Sequence, residues 1–290
     1  MKDTQTTVAV IGGSGLEEGL PIDVLTTHEV KTPYGSPSGE ITEGMTANGV
    51  RVLFLPRHGE GHVLSPGKVP YRANILALKK LGAEYAIGVS AVGSLKRDVK
   101  IGDFVLPDQA IGFFCHDRKS TFFDSEEDRM VAHVNVGEPF CAELRDMLAS
   151  SVEAVGVRCH GGKYVCISGN AYSTIAESEF FGALRCTTVG MTNFPEYPLA
   201  REACLPYVAL QLVTDYDNLP GEAHLCSDLV VAQMMKNAEL AKRAIAHFLS
   251  RPDLKPPTCD CVHALDHAIA TPQERWSDIG RRKLEILMRR

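Results

Sequence analysis

Several features that would place this chain in other protein classes are missing from its sequence. No uncharged run approaches the roughly 18 residues of a transmembrane helix. The formal charge is −6, from 30 Lys and Arg against 36 Asp and Glu, whereas binding to a nucleic-acid backbone usually needs a basic face. Residues 1–7 have neither the basic end nor the long apolar stretch of a signal peptide. The sequence therefore predicts a cytoplasmic protein whose partners are neither membranes nor nucleic acids.

Familiar metal-ligand patterns are missing as well. The chain has nine cysteines but no CxxC pair, which argues against a structural zinc ribbon. His58 and His62 are four positions apart, but the two glycines between them argue against a metal-binding helix. We therefore predict no metal site, and we expect most cysteines to be small buried apolar residues.

The apolar and charged fractions, 44% and 23%, are those of a globular protein with a sizeable core. Apolar runs typical of strands lie at 8–12, 50–56, 85–92, 187–191 and 207–214, with a loop and hairpin at 26–48 and a strand or hairpin at 157–167. Helical spacing and helix-end signals lie at 70–81, 138–155, 174–184, 195–205 and 227–249. This alternation predicts an α/β fold, a single domain with a mixed, mostly parallel, twisted sheet flanked by helices.

The composition changes after Ser250. Residues 251–257 contain three prolines and form a connector, and short helices are predicted at 262–270 and 273–288. We predict a main domain at 1–250 and a helical extension at 251–290. The extension is too short for a core of its own, so it packs on the same domain or on a neighbouring subunit.

Side chains that can bind a small ligand follow several predicted strands. Ser14 lies in a Gly-Gly-Ser-Gly turn, which suits a phosphate group but also suits a tight strand exit without a ligand. Arg57 and His58 follow the next strand, and an arginine can bind two phosphate oxygens at once. Small residues at 89–94 let a ligand approach the backbone, although close packing explains them equally well.

Asp215 and Asp217 end the last predicted strand. Two carboxylates two positions apart point the same way if the strand persists. Like charges held close raise one pKa and can leave a carboxylic acid able to donate a proton, although a polar turn that caps the strand is also consistent. Most of these positions lie at the carboxyl ends of strands, where ligands bind in open α/β sheets.

Taken together and in this order, the segments resemble those of the 5′-methylthioadenosine phosphorylases, within the trimeric family that includes the mammalian-type purine nucleoside phosphorylases. The matching stretches are spread over residues 8–249. They are VIGGSGL at 10–16, LPRHG at 55–59, VPYRAN at 69–74, AVGSL at 91–95, GDFVLPD at 102–108, EPFC at 138–141, GMTNFPE at 190–196, LARE at 199–202 and TDYD at 214–217.

The resemblance implies an N-ribosyl phosphorolysis with inorganic phosphate as co-substrate and no metal or organic cofactor. It implies a phosphate site made of Ser14, Arg57, His58, Ser90, Ala91 and Thr192. Asp215 would be the catalytic group at N7 of the purine, and Asp217 would meet the exocyclic amine of adenine. Other contacts to the nucleoside would come from Met191 at the ribose, Tyr172 and Ser173 at the base, and Val230 and Val231 at the methylthio group.

One segment departs from the family pattern and leaves alternatives open. Where the family usually has Gly-Pro-Arg-Phe-Ser-Thr, residues 169–174 read Gly-Asn-Ala-Tyr-Ser-Thr. Tyr172 can still stack on a purine, and it adds a hydroxyl. The first alternative is a phosphorylase of 6-oxopurine nucleosides or methylthioinosine, against which Asp215 argues, because those enzymes have asparagine there. The second is a non-catalytic nucleotide-binding homologue, supported only by the altered segment.

Two further expectations come from the resemblance. His133 would reach the 5′ side of a neighbouring subunit's site, which implies a homotrimer or a dimer of trimers. Some relatives with a similar CxC tail hold disulfides, so Cys259 with Cys261, or Cys141 with Cys204, could pair. Free thiols are the alternative, and a reducing cytoplasm favours them.

Overall fold

Strands and helices alternate along the chain in the computed structural model, which describes residues 6–13, 16, 20, 22–222 and 227–289. The strands are β1 (Thr7–Gly12), β2 (Asp23–His28), β3 (Ile41–Met45), β4 (Arg51–Pro56), β5 (Tyr85–Ser94), β6 (Phe104–Val105), β7 (Gln109–Gly112), β8 (Cys159–His160), β9 (Lys163–Cys166), β10 (Cys186–Gly190) and β11 (Tyr207–Tyr216). The helices are α1 (Tyr71–Lys80), α2 (Ala142–Ala154), α3 (Ile175–Ala183), α4 (Asn193–Glu202), α5 (Ser227–Leu249) and α6 (Asp278–Leu287). Within these described ranges, every helix is too short or too polar to cross a bilayer.

All the described strands belong to one mixed sheet, which confirms the predicted fold class. Its main path runs β2-β3-β4-β1-β5-β10-β9-β7, and β11, β6 and β8 branch from β5. β1 pairs in parallel with β4 and β5, and β5 pairs in parallel with β11. The β2–β3 hairpin is antiparallel at one edge, and β10 is antiparallel to β5. The long strand β5 is therefore the point where the sheet divides.

Helices cover both faces of the central strands. In β1, Val8 and Val10 belong to one core with residues of α2 and α5, whereas Ala9 and Ile11 belong to a second core with residues of α1, α4 and α6. A strand that is covered on both faces reads as a continuous apolar run, which is the pattern of residues 8–12. Because helices cover both faces, the carboxyl ends of the strands are where polar side chains can reach a ligand.

The helix predicted from residue 138 begins later. α2 starts at Ala142, because the N–H of Cys141 donates to the carbonyl of Tyr207 at 2.9 Å and Cys141 itself is extended. This bond anchors the start of the helix to β11. The apolar spacing had predicted the body of the helix correctly, but not this contact with a distant strand.

The tail differs more from its prediction. Residues 262–270 form no α-helix, and only a short 3-10 turn covers Asp260–His263. α6 begins at Asp278, after the capping residue Ser277. The tail lies against its own chain, with Leu287 in the core beside α1 and the Lys283 ammonium 2.6 Å from the Asp128 carboxylate. The domain boundary at 250 stays a prediction.

Candidate active site

The middle of β5 pairs with a strand on one side only. On one edge, residues 85–88 pair with β1 and residues 93–94 pair with β10, while β11 occupies the other edge from Ala86 to Ser94. Residues 89–92 thus lie in a gap between two diverging strands in the described part of the chain. Such a gap is where ligands bind in α/β sheets, because backbone and side chains are accessible there.

A cavity of about 250 Å³ opens along this gap. All four residues of the gap line it. The sequence-predicted site residues that also line it are Arg57, His58, Ser90, Ala91, Tyr172, Ser173, Met191, Thr192, Asp215, Asp217, Val230 and Val231. Ser14 lies outside the described residues. The structure thus brings segments from six parts of the chain to one place.

Asp215 and Asp217 are both at the cavity, and Gly93 makes room for them. A side chain at Gly93 would place its Cβ 2.9 Å from Asp215 Oδ1 and 2.9 Å from Asp217 Cβ. The pairing of β11 with β5 is irregular between Val213 and Asp215, so the period of two that the sequence analysis assumed is interrupted just before the carboxylates. Both carboxylates still line the cavity, because the irregularity comes before both of them.

The two carboxylates differ in their hydrogen bonds. Thr214 donates to Asp215 Oδ2 at 2.7 Å, and Ser178 donates to Asp217 Oδ2 at 2.6 Å. Burial raises the pKa of Asp215 to about 6, with a further contribution from the charge of Asp217. Burial also raises the pKa of Asp217, against the effect of the Ser178 hydrogen bond. Asp215 is therefore a carboxyl group that can hold a proton near neutral pH.

Ser90 and Thr192 supply hydroxyls without a protein partner in the described part of the chain. Both side chains are buried, with 7% and 6% exposure, and neither hydroxyl forms a hydrogen bond there. Both residues line the cavity, Ser90 from the middle of β5 and Thr192 from the turn two residues after the end of β10. Since a buried hydroxyl without a hydrogen bond is costly, this pair fits a polar ligand.

Arg57 is the buried cation of the site. Its Nε and Nη2 bind the two carboxylate oxygens of Glu196 at 2.5 and 3.0 Å, and its Nη1 donates to the Val89 carbonyl at 2.6 Å. Nη2 also lies 3.4 Å from the carbonyl of Ile11. The bidentate interaction that the sequence predicts between Arg57 and phosphate is therefore made with the carboxylate of Glu196 instead. Because a guanidinium has five N–H groups, one N–H on Nη1 is left for a ligand.

His58 presents a hydrogen-bond acceptor at the cavity. Its Nδ1 lies 2.7 Å from the carbonyl of Leu64, so Nδ1 must carry the hydrogen. Burial lowers the pKa of His58 to about 4, and the charge of Arg57 adds to the shift. The ring is therefore neutral near pH 7, and its other nitrogen, Nε2, has a lone pair.

A half-buried apolar wall and a partly exposed ring complete the cavity. Val230 and Met234 are four positions apart on α5 and share one face of the helix. Val231 lines the cavity as well but remains 59% exposed. Tyr172 is 43% exposed, and Met191 packs against the backbone of Gly169.

His133 is not brought to the cavity of its own chain. Its side chain is exposed, and its backbone N–H donates to the carbonyl of Ala268 at 2.8 Å. Its predicted place in a neighbouring subunit's site stays a prediction.

Other residues at the site were not predicted. Met234 could have been found from its spacing to Val230 on one helix face, whereas Ile167 has no comparable signal in the sequence. His62 stacks on His58 with ring centres 4.3 Å apart. Glu196 lies within a stretch that carries the family resemblance, and a buried arginine needs a carboxylate, so its role as the partner of Arg57 was within reach.

The chain matches known proteins over most of its length. The model of the Phosphorylase superfamily matches residues 7–250. The S-methyl-5′-thioadenosine phosphorylase of Geobacter sulfurreducens is 39% identical over 284 residues, which cover 97% of each chain. That of Gloeobacter violaceus is 41% identical over 296 residues, which cover 99% of this chain and 97% of the relative.

Solved structures agree with the fold. A methylthioadenosine phosphorylase from an antarctic soil metagenomic library superimposes with a TM-score of 0.90 at 41% identity, covering 98% of this chain and 99% of that one. The methylthioadenosine phosphorylase of Schistosoma mansoni in complex with adenine has a TM-score of 0.79 at 33% identity, covering 85% of this chain and 91% of that one.

Proposed function

Because this chain belongs to the phosphorylase superfamily, we propose that its cavity carries out the phosphorolysis of S-methyl-5′-thioadenosine. Inorganic phosphate attacks C1′, the bond from C1′ to N9 breaks, and adenine and 5-methylthioribose 1-phosphate are released. The observation that carries this assignment is one cavity with a buried and a half-buried carboxylate, buried hydroxyls without a partner in the described residues, and an apolar helix face. The reaction needs no cofactor, because phosphate is the nucleophile and a carboxyl group assists the leaving group.

The phosphate lies between Ser90 and Thr192, with the backbone of Ala91 beside it. Both hydroxyls can donate to phosphate oxygens, and the remaining N–H of Arg57 adds a charge-assisted bond. Ser14 belongs to the same assignment by the family resemblance alone. The developing ribosyl cation forms next to this anion, which stabilises the transition state electrostatically.

The adenine lies at the carboxylates. Ser90 and Gly93 are three positions apart on β5, or roughly 10 Å, which leaves space for the ribose between phosphate and base. Thr214 binds one oxygen of Asp215, so the other oxygen, beside Gly93, is the one that faces N7. Protonation at N7 lets adenine leave as a neutral molecule rather than as an anion. Asp217 accepts from the exocyclic amine, while Tyr172 and Ser173 border the base and Met191 the ribose.

The methylthio group packs on α5, against Val230, Val231 and Met234. The exposure of Val231 in the single chain supports a homotrimer or a dimer of trimers in which His133 of a neighbouring subunit closes this end. A fully active monomer in sedimentation would refute the shared site. Location in the cytoplasm stays a prediction from the sequence.

The base assignment is tested on the wild-type protein by the choice of substrate. We expect phosphate-dependent turnover of S-methyl-5′-thioadenosine, slower turnover of adenosine, which has a polar 5′ group, and the slowest turnover of methylthioinosine and inosine. The last two present a carbonyl where Asp217 needs an amine. Initial rates on all four nucleosides, with and without phosphate, measure this. Preference for the 6-oxopurines would favour a purine nucleoside phosphorylase, and no turnover would favour a non-catalytic homologue.

His58 is expected to discriminate phosphate from sulfate. Its Nε2 accepts a hydrogen bond from the P–OH of phosphate, whereas sulfate carries no hydrogen at neutral pH. The inhibition constant of sulfate should therefore lie roughly tenfold or more above the KM of phosphate. This is the effect expected when a buried acceptor, here Nε2 of His58, has no hydrogen-bond donor. His58→Gln should lower the ratio of the sulfate inhibition constant to the phosphate KM, because the glutamine amide can rotate so that its NH₂ group donates a hydrogen bond to sulfate.

Competition kinetics near pH 8 measure both constants in the two proteins. Acidification toward pH 5 should strengthen sulfate inhibition of the wild type, because the pKa of His58, near 4 in the free protein, rises beside an anion and the protonated ring then donates. Equal binding of sulfate and phosphate by the wild type near pH 8 would contradict the acceptor role.

A further inference from the structure

Three cysteine sulfurs converge at a place remote from the cavity. Cys141 precedes α2, and Cys259 and Cys261 lie in the tail, more than a hundred residues later in the chain. All three Sγ atoms lie within 4.8 Å of one another, and those of Cys141 and Cys259 are 3.5 Å apart. None of the three residues lines the cavity of the proposed active site. The sequence analysis left two disulfides open, Cys141 with Cys204 and Cys259 with Cys261, and favoured free thiols. All four are free cysteines in the structure, and Cys204 belongs to the core on the other face of the sheet.

The backbone holds these sulfurs in place. Cys141 is anchored by its N–H bond to the carbonyl of Tyr207, and it is only 2% exposed. The carbonyls of Cys259 and Cys261 accept hydrogen bonds from Val262 and Ala264, which closes the turn of the CxC segment. Cys261 is 6% exposed, whereas Cys259 is half-buried and offers a path from solvent. The donor set is therefore ordered before any ligand arrives.

The spacing of the sulfurs suits coordination of one ion. Two thiolates bound to a tetrahedral zinc at about 2.3 Å lie roughly 3.8 Å apart. The Sγ atoms of Cys141 and Cys259 are 3.5 Å apart, and all three lie within 4.8 Å of one another. Thiolates select soft or borderline ions such as Zn²⁺ over Mg²⁺ or Ca²⁺. Three thiolates around Zn²⁺ leave one net negative charge on the site.

We propose that Cys141, Cys259 and Cys261 bind one thiophilic metal ion, for which Zn²⁺ is the probe, with a water molecule as the fourth ligand. On binding, the thiols lose their protons to solvent and three Zn–S bonds form, with no change of oxidation state. The ion would tie the CxC segment of the tail to the start of α2 and to β11. The proposal differs from the sequence-based prediction that the chain has no metal site, which no observation tests. The ligands come from segments far apart in the chain, so they match no local zinc motif.

The experiment uses the full chain without a histidine tag, reduced and treated with a chelator. Zn²⁺ is titrated in competition with a chromophoric chelator, and Co²⁺ is bound in parallel, because thiolate-to-cobalt charge transfer reports sulfur coordination directly. The variant is Cys259→Ser, and the matched control is Cys159→Ser, another half-buried cysteine outside the cluster. Turnover of S-methyl-5′-thioadenosine by both variants shows that they are folded.

We expect the wild type and Cys159→Ser to bind one Zn²⁺ per chain and to show the charge-transfer band. Cys259→Ser should lose the band and bind Zn²⁺ roughly tenfold or more weakly, since even changes outside the ligand set cost about that much. Bound Zn²⁺ should raise the melting temperature of the wild type and of the control. Equal Zn²⁺ affinity in Cys259→Ser, or a disulfide within the cluster together with no Zn²⁺ uptake after reduction, would overturn the proposal.

Discussion

Asp215→Asn is expected to lower kcat/KM for S-methyl-5′-thioadenosine by ~10²-fold or more, the lower end of what general acid catalysis contributes. Burial raises the pKa of Asp215 to about 6, so part of the carboxyl population holds a proton near neutral pH. Asparagine fills the same space beside Gly93 but cannot transfer a proton to N7. Steady-state kinetics at saturating phosphate measure the loss, and a variant with wild-type turnover would contradict the role.

The same assignment sets the direction of a pH effect. As the pH rises above about 6, the protonated fraction of Asp215 falls tenfold per pH unit, so kcat/KM should decline. Phosphate ionises in the same range in both proteins, so the ratio of wild type to Asp215→Asn isolates this group. The ratio should be largest at low pH, and a ratio independent of pH would show that Asp215 is not the acid.

Base preference provides the matched control. Asparagine at 215 can donate from its amide and no longer repels a carbonyl at the purine 6-position, so turnover of methylthioinosine should rise relative to S-methyl-5′-thioadenosine. Asp217→Asn should weaken adenine binding but shift this preference less, because Asp217 meets the amine rather than the leaving nitrogen. If the ratio of kcat/KM values for the two nucleosides does not change in Asp215→Asn, the base is read by other groups, with Tyr172 and Ser173 the next candidates.

Arg57→Ala is expected to produce the largest loss of stability, about 3–5 kcal/mol in the free energy of unfolding. The change leaves Glu196 buried without its cation, since both side chains are 1% exposed. It should also raise the phosphate KM by roughly tenfold to a hundredfold, because one charge-assisted hydrogen bond to the nucleophile is lost. Urea unfolding and phosphate-dependent kinetics measure the two effects separately.

A double variant separates the structural role of Arg57 from its ligand role. Arg57→Met with Glu196→Gln removes both buried charges, and such replacements are often neutral for stability. Most of the lost unfolding free energy should return, while the phosphate KM should stay high. Recovery of the wild-type phosphate KM in this stable double variant would mean that Arg57 supports the fold and does not bind phosphate.

The class of fold and much of the cavity could be predicted from the amino-acid sequence. Covered strands read as continuous apolar runs, as in Val8 to Ile11, and α5 spans Ser227–Leu249, the range predicted from the sequence. These signals are local, because strand and helix periods are written in neighbouring residues. Asp215 was predicted as a site residue because it ends a strand, and ligands bind at the carboxyl ends of strands in such sheets. Ser90 and Thr192 were predicted from the family resemblance.

Which of these side chains have hydrogen-bond or ion-pair partners could not be predicted from the sequence and depends on the three-dimensional fold. Three contacts illustrate this: Arg57 with Glu196, His58 with the carbonyl of Leu64, and Cys141 with the CxC segment. In each of them, the local sequence pattern around one residue gives no sign of its partner. The same is true of the strands at 104–105 and 109–112, which pair with distant neighbours and are too short to show a pattern. The local sequence determines whether a segment can form a helix or a strand, whereas strand register and burial across the sheet determine which residues it contacts.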